Sequence, residues 1–334
     1  ELLQPGDWSI CPASTTKKMG DIHTAASLQL SYSSATRAGR RGANEDTITI
    51  VCPLLEAKQV MALFGVFDGH ADGQVMSQYV AENIPKCLAD TQEWQQPDMN
   101  PYEIGEALKH ACIQVDQKMR EELGPKMDGG STGIIAIVTS SFIVVGNVGD
   151  SRAILVKSSA RPGSVVEVVP LSQDHKADLV DERARIEKAG LKVEEIEHEG
   201  TTYFKVLAEG KKRTALATTR AFGDYDFKLS SSLPPEQQAL VPLPEIVIYE
   251  RDLVDDLFLI LACDGIWDVM TNEECAKFVV ECAETDLEEK CNLLLDECFD
   301  KGTADNMSVI IASLSAASAS SAATELFPAN DDSI

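Results

Sequence analysis

No stretch of the chain approaches the roughly 18 consecutive apolar residues that a membrane-spanning helix needs. Basic residues are scarce as well. The 29 Lys and Arg face 54 Asp and Glu, and a formal charge of -25 disfavours nucleic-acid phosphates and anionic lipid as partners. The nine cysteines contain no C-x-x-C pair and fall mostly inside apolar runs. They read as reduced core thiols, which points to a reducing compartment, cytoplasmic or nuclear, and away from a disulfide framework. Five scattered histidines with no H-E-x-x-H pair argue against zinc. No repeat of fixed period is present. The chain opens on Glu1 rather than Met, so any targeting segment upstream lies out of view.

What is present suits a folded protein. Hydrophobic residues make up 44% and charged residues 25%, close to globular averages. Short β-rich runs dominate: "DTITIVC" (46–52), "VMALFGVF" (60–67), "GIIAIVTSSFIVVGNVG" (133–149), "RAILVKS" (152–158), "SVVEVVP" (164–170), "EIVIYE" (245–250), "DLFLILAC" (256–263) and "MSVIIASL" (307–314). The gaps between neighbouring runs are too short for a crossover helix, so antiparallel pairing is expected. Many of these runs are apolar on both faces, which predicts sheets covered on each side.

Apolar spacing predicts helices over 72–90, 101–123 and 177–190. Two more open on Thr271 with Glu274, a capping box, and on Asp286 with Glu289, its Asp analogue. The economical arrangement is an α+β fold, two antiparallel sheets with helices packed outside. Residues 191–216 mix charge, glycine and short β runs and read as an exposed hairpin or flap.

Acids stand where apolar runs stop. "LFGVF" runs into Asp68 and Gly69, "FLILAC" into Asp264 and Gly265, "VVGNVG" into Asp150, and Asp305 with Asn306 stands just before "MSVIIASL". Any one Asp-Gly is ordinary turn chemistry. Four together imply a compensating partner, because an unpaired carboxylate beside buried strands costs several kcal/mol, of order 3–5, or protonates. Oxygen-rich sites of this kind suit Mg2+ or Mn2+. A calcium loop starting at Asp68 fails at its twelfth position, which is Tyr79 where a bidentate Glu is required. Asp174 and His175 read as cap and packing residues, and Gly130 to Gly133 as the shape of a tight strand start.

These pieces resemble a family. "RRGANED", "FGVFDGHA", "GGSTGIIAIV", "VGNVGDSRAIL", "LSQDHKADLVDERARIEKAG", "LATTRAFGD", "LACDGIWDVM" and "GTADNMSVII" stand in the order and spacing of the metal-dependent protein phosphatases of the 2C type. The resemblance spans residues 28–314, leaving 1–27 as an N-terminal extension and 315–334 as a low-complexity tail. It implies a four-layer αββα sandwich with two Mg2+ or Mn2+ ions per subunit at one end. By motif match, Asp68 bridges the two ions, the Gly69 carbonyl binds one, and Asp264 and Asp305 complete the other. Glu45 and Asp46 hold waters in the outer shell, and Asp150 and Asp268 match acids of a third, weaker metal site. Arg41 matches the phosphate-binding arginine and His70 the general acid.

The implied reaction is hydrolysis of phosphoserine and phosphothreonine esters by a hydroxide bridging the two ions, on phosphoprotein substrates, by a monomer. The alternative is a catalytically inactive scaffold of the same fold. Arg220 and Asp224 of "TTRAFGD" match a family motif near the site, and a structural ion-pair role is the first expectation for them. Asp72, Leu191 and Thr214 depart from the family pattern; Asp72 is either a helix cap, the favoured reading, or an outer-shell group.

Overall fold

Period-two alternation inside the apolar runs decides the architecture, because it gives each central strand two different apolar faces. The computed structural model describes residues 9–11, 28, 30–56, 59–71, 73–96, 99–124, 127–159, 166–198, 201–208, 210, 215–284 and 286–314. The expectations for Asp72, for Thr214 and for residues 315–334, and most of the expected extension over 1–27, fall outside them.

One sheet has six strands in the order β1 (Ser9–Cys11), β3 (Thr47–Glu56), β4 (Gln59–Phe67), β7 (Gly133–Val138), β8 (Phe142–Val148) and β15 (Glu245–Glu250). The other has five, in the order β10 (Val166–Pro170), β9 (Arg152–Ser158), β16 (Asp256–Ala262), β17 (Met307–Ser313) and β2 (Ser31–Arg37). Every pairing within them is antiparallel. In β4, Ala62, Phe64 and Val66 point into the space between the sheets, while Leu63 and Phe67 face the helices. In β16, Leu259 and Leu261 point inward and Ile260 and Ala262 outward; in β17, Ile310 and Ala312 point inward and Val309 and Ile311 outward. Each fully buried Leu, Ile or Phe contributes about 1.5–3 kcal/mol, so both faces hold the strands in register.

Helices cover the outer faces. α1 (Gly73–Ala89) and α2 (Pro101–Glu122) lay Met76, Val80, Ile84, Leu108 and Val115 on the six-stranded sheet. α4 (Asp264–Trp267), α5 (Asn272–Glu281) and α6 (Leu287–Asp300) cover the five-stranded sheet with Ile266, Val279, Leu294 and Leu295. The result is the expected α+β sandwich of four layers. No helix among the described residues is long and apolar enough to cross a membrane.

Several elements differ from the sequence expectation. α3 runs only over Val180–Lys188 and starts on Leu179, which supplies no side-chain cap. The Thr271 and Glu274 box closes as expected, and Asn100 with Glu103 forms a second one at α2. At α6 the Asp286 side chain accepts from Glu288 N, while Asp286 N donates to Glu284; the expected reciprocal contact with Glu289 is absent from its cap. The flap is a small sheet of β11 (Lys192–His198), β12 (Thr201–Leu207) and β13 (Ala215–Leu216), with Leu191 and Val193 packed on the cluster beneath α3. A further sheet joins β14 (Phe222–Gly223), β6 (Gly129–Ser131) and β5 (Gly69–Ala71).

Candidate metal centre

The packing that fixes the strands also carries their terminal residues to one edge of the sandwich. Asp68 follows β4, Cys263 and Asp264 follow β16, Asp305 and Asn306 lead into β17, and Glu45 and Asp46 lead into β3. Asp46 is completely buried, and ligand atoms of Asp46, Asp68 and Cys263 all lie within 4.8 Å of one another. Ser308 Oγ donates to Asp46 Oδ2 at 2.6 Å. The buried atoms Asp46 Oδ1 and Asp264 Oδ1 have no hydrogen-bond partner.

The electrostatics follow from that crowding. Loss of water pushes the Asp68 carboxyl well above the usual range, and the negative charges of Asp264, Asp46, Asp150 and Asp305 push it further. Desolvation, then Asp150, Asp268 and Asp305, do the same to Asp264, with Lys176 opposing. Asp46 is raised to about 6, chiefly by burial, against the hydrogen bond from Ser308. Asp268 is raised by desolvation, with Lys176 again opposing. Among the described residues, Lys176 and Arg41 set positive charge directly against these acids. Lys176 Nζ pairs with Asp150 Oδ2, and Arg41 donates through Nη2 to Asp305 Oδ2 at 2.7 Å and through Nε to Ala304 O at 3.0 Å. Carboxylates that outnumber their counter-charges, with oxygens left unpaired, are the chemistry of a hard-cation site. The Cys263 thiol is pushed well above its ordinary value by burial and by Asp46, Asp68 and Asp264, and its Sγ donates to Asn306 O at 3.5 Å and accepts from Ser308 N at 3.1 Å.

Close backbone approach shapes the edge. A Cβ on Gly69 would lie 2.4 Å from Gly73 O and 2.5 Å from Glu45 O, and one on Gly265 only 1.8 Å from Asn306 O. Asn306 staples the loop before β3, donating to Ala38 O and Ala43 O at 2.9 Å and accepting from Glu45 N at 2.9 Å. Glu45 Oε1 accepts from Gly73 N at 3.2 Å, at the start of α1. Thr132 N donates to Asp68 O at 2.9 Å, which gives the glycine-rich strand start its role beside the acids.

His70 sits on β5, with Nε2 2.6 Å from Asp224 Oδ2. Arg220 has the structural ion-pair role expected of it, its Nη2 reaching Glu182 Oε1 at 2.7 Å, while Asp224 contacts the histidine. Asp174 is no helix cap, since it grips Arg152 at 2.9 and 2.7 Å. His175 is a packing residue, buried against Gly149. Sequence reasoning missed Cys263 and Lys176 at the site, and it placed Asp224 near the site without its contact to His70. Cys263 adjoins Asp264 and could have been noticed there; Lys176 lies in a segment whose local pattern gives no sign of where it folds, and the pattern around Asp224 gives no sign of its partner.

A profile of the protein phosphatase 2C family matches residues 30–307. Protein phosphatase ppm-1.A of Caenorhabditis elegans is 34% identical over 269 residues, 77% of this chain and 53% of that protein. Protein phosphatase 1A of Bos taurus is 33% identical over 290 residues, 84% of this chain and 70% of that protein. This chain therefore spans about half the length of the nematode relative. Among solved structures, a phosphatase from a pathogenic strain of Toxoplasma gondii superposes with a TM-score of 0.69 at 28% identity, covering 86% of this chain and 93% of that one.

Proposed function

Because the chain belongs to the protein phosphatase 2C family of serine/threonine phosphatases, we propose that its acidic edge holds two Mg2+ or Mn2+ ions for hydrolysis of phosphoserine and phosphothreonine esters in phosphoproteins. The observation that carries this reading is the pair of buried, partnerless oxygens, Asp46 Oδ1 and Asp264 Oδ1, inside a group of mutually repelling carboxylates. Asp68, the Gly69 carbonyl, Asp264 and Asp305 would hold the ions; Glu45 and Asp46 would orient water around them. Asp150 and Asp268 would take a third ion more weakly, since Asp150 already has Lys176. Bound divalent ions supply Lewis acidity at phosphorus and bring the pKa of a water toward about 7, so no protein nucleophile is needed.

The remaining work falls to side chains. Arg41, with 54% of its side chain exposed, offers a guanidinium fork to the non-bridging phosphate oxygens. A serine or threonine alkoxide leaves poorly, and His70 donates a proton to it as the ester bond breaks. Phosphothreonine-peptide hydrolysis with Mn2+ is expected to stop in EDTA and to return when Mn2+ is restored; a rate indifferent to EDTA sinks the metal reading. A protein that binds Mn2+ yet releases no phosphate is the scaffold instead. The replacement His70→Ala is expected to slow phosphothreonine peptide by about 10²-fold or more and p-nitrophenyl phosphate far less, because phenolate leaves unaided. Equal losses remove the general-acid role.

A further inference from the structure

Residues 70, 130 and 223 are distant in sequence, and the smallest strands of the fold bring them together. β5 and β6 place His70 opposite Gly130, and β6 and β14 place Gly223 opposite the same glycine. A Cβ on Gly130 would stand 2.2 Å from Asp224 Oδ2. The absent side chain is the space through which the Asp224 carboxylate reaches His70 Nε2 at 2.6 Å.

The acid is held firmly. Asp224 is 4% exposed, and its backbone N donates to Gly129 O at 2.8 Å. Asp116 on α2 braces the same turn, accepting from Gly223 N at 2.7 Å and from Lys228 Nζ at 2.8 Å. Asp224 also takes a left-handed backbone, φ 47° and ψ 45°, as does Ala71 with φ 66°, and these are the two non-glycine residues with positive φ among those described. Glycine would occupy that conformation without strain, so the local backbone supplies no reason for an aspartate there.

We propose that Asp224 is a positioning residue for His70: by accepting Nε2–H it fixes the ring's rotation and tautomer, so that Nδ1 is presented to the oxygen that leaves phosphorus. The proposal rests on the reading of His70 as general acid. As a water oxygen bonds to phosphorus, its proton passing to solvent, the ester P–O bond breaks, its electron pair stays on the seryl or threonyl oxygen and the Nδ1 proton moves to that oxygen. The imidazole is left neutral with Nε2–H still donating to Asp224, and water returns a proton to Nδ1. Arg220 is no competing partner for the carboxylate, since it is engaged by Glu182.

The test compares Asp224→Asn, Asp224→Gly, His70→Ala and the double variant His70→Ala/Asp224→Asn, on phosphothreonine peptide and on p-nitrophenyl phosphate with Mn2+. Asp224→Asn is expected to lower kcat on the peptide by roughly tenfold or more and on the aryl ester by less than about threefold, a part of the general-acid contribution. Asp224→Gly relieves the backbone and keeps the test available if the Asn variant folds poorly; it should show the same split. In the His70→Ala background Asp224→Asn should cost nothing further. Equal losses on both esters, or losses that multiply in the double variant, overturn the proposal while leaving His70 in place. If His70→Ala itself fails to separate the two esters, the general-acid reading falls and the proposal falls with it.

Discussion

Asp68→Asn is expected to reduce phosphothreonine-peptide hydrolysis by about 10³-fold or more, a barrier increase of roughly 4 kcal/mol, while raising the melting temperature of the metal-free protein. The two effects share one cause. Asp68 is short of water and faces Asp264, Asp46, Asp150 and Asp305, so its ionised form is disfavoured until a cation arrives. A neutral side chain of the same shape removes that repulsion, and a gain of about 1–2 kcal/mol corresponds to a Tm higher by roughly 1–3 °C in a chain of this size. The same variant should lose most of the stabilisation that Mn2+ gives the wild type, because a ligand stabilises only in proportion to its binding. Thermal melts with and without Mn2+ check this directly. A variant that melts lower than wild type without metal, and still rises with Mn2+, would show that Asp68 is a structural residue.

The second large effect is expected away from the metals. Glu182 on α3 accepts from Arg185 at 2.6 and 2.8 Å and from Arg220 at 2.7 and 3.1 Å, and the Thr219 hydroxyl donates to it as well. Glu182 is 3% exposed, and it ties α3 to the segment, Thr219 and Arg220, that leads into β14. Removing it in Glu182→Ala leaves two largely buried guanidinium groups without their anion, a loss of about 3–5 kcal/mol. Glu182→Gln, which preserves the shape, should lose somewhat less and allow the pH dependence to be read. Its carboxyl is lowered to about 2 by the hydrogen bonds and charges of Arg185 and Arg220, which outweigh its burial. A depressed carboxyl stabilises the fold fully above its unfolded value near 4.5, and that contribution disappears as pH falls toward 2. Wild type and Glu182→Gln should therefore differ most above pH about 5 and converge in acid. A difference that is constant across that range would remove the ion pair as its source.

The sandwich was legible because its signal is local. β4, β7, β16 and β17 each announce two buried faces within six to nine residues. The acids were legible for a related reason: an abrupt carboxylate after an apolar run is a chemical anomaly visible without knowing the fold. Lys176 and Cys263 escaped, as did the pairing of Asp224 with His70, because their meaning depends on what lies beside them in space. The His70 and Asp224 contact is built by strands of two and three residues, drawn from three separate segments, and periodicity cannot register a strand that short. The early start expected for α3 has a similar origin. "ADLVDERARI" is helical in composition, but Ala177 is already committed to the cluster beneath the flap and the helix begins only at Val180.

The alternating faces of β4, β16 and β17 also act as a ruler. A slip of one residue along any of them would move its terminal acid by about 3.4 Å and turn its whole apolar set to the wrong side. A displacement of that size exceeds a typical bond between oxygen and Mg2+, about 2.1 Å, so on the proposed reading a slipped strand would carry its acid out of reach of the ion. The tolerance of the proposed metal centre would thus be set by hydrocarbon many residues away: Leu63, Leu259 and Ile310 define, by where they fit, the places that Asp68, Asp264 and Asp305 can occupy.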